Sequence, residues 1–246
     1  MWPYLPGGTL NLDALPYKWD PNIQRFRWIN GAAAGKLASE KAVLSVTSKV
    51  IDAESSQLEQ LGRDFFAGKL NAREFQQQSG EALRRIHGSS AIIAKRGPQN
   101  VTNEDWAQIT EILKRQFYKG RGADGRPYGL KHLTADVEQG KVSEAQLVAR
   151  LKMYAKSGRL SSDLMQRRAA AVEGKLYATR HLSPNHVHCA SCLRHQQLTP
   201  RLASEITPPA TQCECRTNCK CYVLFMSLED AIKGGLSTAS GRLSAA

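Results

Sequence analysis

A chain of 246 residues with 41% hydrophobic and 23% charged side chains is ordinary globular material, long enough to bury a core and too apolar for wholesale disorder. No run approaches the roughly 20 consecutive apolar residues of a membrane helix, and Met1 to Gly8 lacks the charged-then-apolar order of a signal peptide, so no membrane partner is expected. The formal charge of +12 is unevenly spread: residues 1–30 carry +1, residues 181–246 carry +2 and residues 31–180 carry +9, a field suited to nucleic acid or an acidic protein surface.

In chain order, residues 1–30 hold Trp2, Tyr4, Tyr17, Trp19, Phe26 and Trp28 among Pro3, Pro6, Pro16 and Pro21. Too many prolines for a helix predict an extended aromatic arm, which buries its rings against its own body or against a neighbour. From about Ala33 to residue 180 good helix formers and helical apolar spacing predict a helical body. Its helix starts are legible. Asn71 and Glu74 form a capping box with Leu70 facing Phe75, and Ser143 and Gln146 repeat it with Val142 facing Leu147. Each follows a Gly-Lys pair, Gly68-Lys69 and Gly140-Lys141, where a preceding helix ends in a left-handed glycine, so each is a helical hairpin. A recurrent turn solution explains the two matched units without an internal duplication.

Thr102 with Asp105 starts a further helix running to about Lys119. The basic, glycine-rich stretch Lys119 to Pro127 follows; it lacks a Gly-Lys-Ser/Thr ending and a preceding apolar strand, so it reads as a surface loop and not as a phosphate cradle. Residues 127–140 add a short helix. One from Ser143 to about Ser157 follows, then one capped near Ser161 or Ser162 that ends at Gly174. Residues 181–226 form a cysteine-rich module in which Tyr222 to Met226 adds a strand, and residues 227–246 form a tail that opens as a weak helix. The predicted fold is mainly α, with antiparallel helices in the body, an extended N-terminal arm and a small C-terminal cysteine-rich zinc module.

All six cysteines lie between residues 189 and 221, in Cys189-Ala-Ser-Cys192 and Cys213-Glu-Cys215-Arg-Thr-Asn-Cys219-Lys-Cys221. A Cys-x-x-Cys turn brings two thiolates to one tetrahedral ion, and a second pair some 20 residues on closes the shell, so this spacing points to structural zinc. Six thiols exceed four positions. Cys189 and Cys192 with two of Cys215, Cys219 and Cys221 are the favoured ligands, Cys213 is the outlier, and His186, His188 and His195 are substitutes. Arg216 and Lys220 would offset the negative charge of a four-thiolate centre. Disulfides are the main rival, although Cys213/Cys215 and Cys219/Cys221 are too close to pair internally without strain. A catalytic cysteine would be one thiol with a positioned histidine, and a zinc hydrolase would need a general-base carboxylate where only Glu214 lies inside the cluster. No catalytic residue is assigned.

The order of Ala67 to Leu70, Met153 to Ala155, Arg180 to Leu182, His188 to Cys192 and Cys215 to Cys221 resembles phage head-morphogenesis proteins, the minor capsid proteins related to protein F of phage Mu. The resemblance covers about residues 25–225. Its most specific piece is Asn218-Cys219-Lys220-Cys221, where lysine stands for the family's usual arginine. Cys213 and the glycine-poor linker Leu193 to Gln212 depart from the family pattern. The resemblance implies a low-copy, portal-associated component of a tailed-phage head, in contact with portal or major capsid protein and with packaged DNA. A DNA-binding zinc regulator is the second reading, disfavoured because the positive charge lies in the body and not beside the cysteines. An effector enzyme on the same scaffold is the third.

Overall fold

A computed structural model describes residues 17–20, 22–23, 25–29, 31–121, 127–183, 186–209, 213–215 and 219–235. The chain is mainly α with small sheets, and it divides into two compact units, Met1–Ser162 and Asp163–Ala246. Among the described residues no helix is long and apolar enough to cross a membrane.

The first unit opens with an antiparallel hairpin, β1 (Tyr17–Asp20) and β2 (Arg25–Trp28), with Tyr17 opposite Trp28. This differs from an extended arm. The proline density of residues 1–30 hides two four-residue stretches, Tyr-Lys-Trp-Asp and Arg-Phe-Arg-Trp, that alternate aromatic and polar residues as strands do. Tyr17 is 2% exposed, edge-on to Phe26 at 4.9 Å and to Trp28 at 6.0 Å, and Ile93 and Val50 belong to the same cluster. These aromatics therefore pack on the chain's own body; the arm's first sixteen residues lie outside the described residues.

Helix α1 (Glu40–Phe66) begins later than the expected Ala33, because Gly31 and Gly35 take positive φ and Ser39 supplies the cap, its side chain accepting from the Ala42 N–H. The turn into α2 (Ala72–Ala94) follows the predicted grammar. Gly68 has φ +73°, its N–H reaches the Phe65 carbonyl and that of Lys69 the Asp64 carbonyl, and Asn71 and Glu74 close the box. Gly140, with φ +66°, repeats this between α4 (Leu130–Glu138) and α5 (Glu144–Lys156), where Ser143 and Gln146 form the box. The third box, Thr102 with Asp105, starts α3 (Asn103–Lys114), and one wide turn carries that helix to Lys119 as predicted. A buried ion pair, Lys95 Nζ to Asp105 Oδ2 at 2.9 Å, fastens the end of α2 to the start of α3. The basic loop is pinned at its base by two short strands, β3 (Gly120–Arg121) and β4 (Pro127–Tyr128); residues 122–126 lie outside the described residues.

The core of this unit joins Ile51, Leu58 and Phe65 of α1 to Phe75, Leu83 and Ile86 of α2, Leu133 of α4 and Leu147 and Leu151 of α5. Burial of these side chains stabilises the unit by roughly 1.5–3 kcal/mol each before the entropy of ordering them is set against it.

Helix α6 (Gly158–Val172) starts three residues before the predicted cap. The physical reason is tertiary. A side chain at Gly158 would meet Ile86 Cγ2 at 2.4 Å, so the helix enters against α2 through a residue that has none. Ser161 and Ser162 are buried inside the helix and do not cap it. The Ser161 hydroxyl lies 2.6 Å from His87 Nδ1, while His87 Nε2 lies 3.0 Å from Gln116 Oε1. The Gln116 amide in turn donates to the Tyr154 carbonyl and to Ser157. With Gln116 Oε1 accepting, the imidazole proton sits on Nε2, and Nδ1 accepts from Ser161.

Burial holds the His87 imidazolium pKa down to about 4, against the opposing effect of its hydrogen bond to Gln116. The folded pKa lies below the unfolded value near 6.5, so the unfolded chain binds more protons between the two and stability falls as pH drops through that window. The expected loss from this group reaches about 3 kcal/mol at pH 4, since one pKa unit is worth about 1.4 kcal/mol. Urea unfolding at pH 7 and pH 4.5 measures it, and His87→Gln should flatten the difference.

The second unit holds the rest of α6, stopped just beyond Val172 by Gly174 at φ +73°, and a three-stranded antiparallel sheet in the order β6 (Arg201–Leu202), β5 (Tyr177–His181), β7 (Tyr222–Met226). The predicted strand 222–226 thus finds its partner in β5. Two short helices, α7 (Ala190–Gln197) and α8 (Leu228–Lys233), complete it. Among the described residues a small apolar cluster at the sheet joins Ala178, Ala203, Ile206 and Val223, with Phe225 alongside, and Met165, Tyr177 and Ala231 are buried elsewhere in the unit. Beyond residue 235 the tail lies outside the described residues.

Candidate metal centre

The sulfurs of Cys192, Cys213, Cys215 and Cys219 all lie within 4.8 Å of one another, close enough for one metal ion to bridge them. Three local structures bring them there. Cys189 is the N-cap of α7 and Cys192 lies in its first turn, so the Cys-x-x-Cys segment wraps the start of a helix. The turn 213–215 is tied to that helix by the Glu214 N–H, which donates to Ser191 Oγ at 2.9 Å. Cys219 and Cys221 lead directly into β7, whose pairing with β5 fixes them against the sheet.

Cys192 Sγ lies 3.5 Å from Cys215 and 3.7 Å from Cys219, and Cys215 lies 3.5 Å from Cys213. These separations far exceed the ~2.05 Å of a disulfide. Cys213, read from the sequence as the outlier, is 2% exposed and belongs to the cluster. The expected pair is divided: Cys192 is in the four-sulfur set, whereas Cys189 stands beside it with its sulfur 3.2 Å from Ser191 Oγ. Cys221 is buried in the same cluster, with its sulfur 3.8 Å from His188 Nδ1. His186 is exposed; His195 is on α7.

Among the described residues Arg180 faces the sulfurs; the sequence reading placed it only in the Arg180 to Leu182 motif and not beside the cysteines. It is 1% exposed on β5, and its Nη2 lies 3.5 Å from both Cys192 Sγ and Cys219 Sγ, while Nη1 donates to the Thr207 carbonyl at 2.9 Å. The sequence signal was an arginine in the middle of a short strand, where burial requires an anionic partner. Lys220 is exposed and Arg216 lies outside the described residues.

Cys192 and Cys221 resist ionisation. Burial, reinforced by the Cys189 thiol, pushes Cys192 up to about 11, and Cys221 is pushed up by Cys219 and by burial. Cys189 goes the other way, down to about 6, because the Ser191 hydroxyl hydrogen-bonds its sulfur. A metal entering this cluster must displace protons, which makes its affinity pH-dependent.

Compared with known proteins, the sequence matches no family model and no curated protein, and the fold matches no solved structure.

Proposed function

We propose that the cysteine cluster holds structural zinc, and that the chain is a minor capsid or head-morphogenesis protein of a tailed phage, working in head assembly or DNA packaging without catalysing a reaction. The observation that carries the zinc reading is the sulfur geometry. A tetrahedron of thiolates about 2.3 Å from a zinc ion has edges of about 3.8 Å. The separations of 3.5, 3.7 and 3.5 Å lie near that edge, and Arg180 supplies the positive charge that a four-thiolate ion calls for.

The phage reading rests on the motif resemblance, and in particular on Asn218-Cys219-Lys220-Cys221. Two further features support it. The excess positive charge of residues 31–180 suits the inside of a head, and it is densest where Lys114, Arg115, Lys119, Arg121, Arg126 and Lys131 stand against a single acid, Asp124. A small zinc-fastened unit is also a common way to stabilise a module whose own core is too small. The portal, the major capsid protein and packaged DNA are the proposed partners, and the virion head the proposed location.

The test is to induce particle production in the bacterium that encodes this chain, separate heads on a density gradient and quantify the chain against the major capsid protein by mass spectrometry. Low-copy co-sedimentation with procapsids or heads is the expected result. Absence from both, with the chain present in the soluble lysate, contradicts the reading.

A further inference from the structure

Four sulfurs account for one tetrahedral ion, yet the cluster contains three more donors. Cys221 is 8% exposed, Cys189 caps the helix that carries Cys192, and His188 Nδ1 lies 3.8 Å from the Cys221 sulfur. The imidazole is already oriented. Its Nε2 sits 2.8 Å from the Ser183 carbonyl, which can only accept, so the proton is on Nε2 and the Nδ1 lone pair is left for the Cys221 side. A backbone carbonyl fixing the far nitrogen is the usual arrangement for a histidine that ligates a metal through the near one. The thiol of Cys192 interacts with both Cys189 and Cys221 as well as with the sulfurs of its own set.

We propose that the module binds two zinc ions. The first lies on Cys192, Cys213, Cys215 and Cys219; the second lies on Cys189, Cys221 and His188, and shares the Cys192 sulfur with the first. Seven donors with one shared fill eight positions, which is two complete tetrahedra with neither donor nor vacancy left over. Charge points the same way. One zinc among six thiolates leaves a net charge of −4, whereas two zinc ions leave −2, which the guanidinium of Arg180 reduces further through its contacts with Cys192 and Cys219. Both sites are closed, without a position for water or substrate, so the second ion is structural like the first.

This inference rests on the zinc reading above, and counting ions separates the two. Full-length protein purified without a metal-affinity tag is weighed by native mass spectrometry, beside His188→Ala, Cys221→Ser and the ligand-conserving His188→Cys. Two zinc ions are expected for the unaltered chain and for His188→Cys, and one for each of the other variants. Cobalt titration of the stripped protein should saturate at two equivalents in the unaltered chain. A single zinc, with saturation at one equivalent, overturns the second site and leaves the four-thiol site standing. Two ions retained in both His188→Ala and Cys221→Ser also overturn this ligand set, and no zinc at all ends both readings.

Discussion

Chelation of the proposed zinc is expected to unfold the C-terminal unit and to leave the helical unit standing. Among the described residues the apolar cluster at the sheet of β5, β6 and β7 holds two alanines, one isoleucine and one valine, with Phe225 half-covered; Met165, Tyr177 and Ala231 are buried elsewhere in the unit, and four cysteines are among its most buried residues. Such a core contributes only a few kcal/mol against the entropy of ordering its chain, whereas zinc binding to small thiolate modules contributes on the order of 10–16 kcal/mol at pH 7. The helical unit holds no cysteine, and its core from α1, α2, α4 and α5 is complete without the module. Far-ultraviolet circular dichroism should therefore fall only modestly when a strong chelator is added, while amides of residues 177–181 and 222–226 lose their protection from hydrogen exchange. Cys192→Ser should behave like the chelated protein. Retained protection after the metal has been removed would contradict the structural role.

In the helical unit the largest loss is expected from Phe75→Ala. Phe75 is fully buried at the fourth position of α2, stacked on Phe65 with ring centroids 4.5 Å apart, and the neighbouring Leu70 packs against the same cluster. Removing it takes away apolar burial and leaves a cavity between two long helices that cannot collapse freely, which costs about 3–5 kcal/mol. Asn71→Ala, four residues earlier, removes only the cap that accepts from Glu74 and should cost about 1 kcal/mol. Urea unfolding followed on the helical signal distinguishes them. Equal losses would mean that the turn, and not the packing behind it, holds the hairpin together.

That contrast bears on what the sequence made legible. The three capping boxes and the paired glycine stops could be read in advance because each is completed within a few residues: Asn71 needs only Glu74, Thr102 only Asp105, Ser143 only Gln146. The start of α6 could not. Ser161 and Ser162 look like caps locally, but the Ser161 hydroxyl pairs with His87, 74 residues earlier in the chain. The hairpin at residues 17–28 was hidden because prolines on either side dominated a 30-residue reading. Within the cysteine module, spacing was enough to foresee thiols gathered within reach of one ion, yet it could not choose among six of them. The Glu214 tether to Ser191 is what brings Cys213, the residue read as the outlier, among the four clustered sulfurs. The role of Arg180 as a charge partner was hidden for a similar reason: only the register of β5 against β7, with Arg180 opposite Val223, places it beside Cys219.

The most direct test of the metal centre is elemental analysis for zinc on protein purified without a metal-affinity tag, with free thiols counted on the same sample before and after chelation. Zinc in the purified chain, with thiols that stay unreactive until the chelator is added and then react in full, is the predicted result. A chain without metal whose thiols stay unreactive even when denatured is disulfide-bonded, and that result would contradict the centre described above.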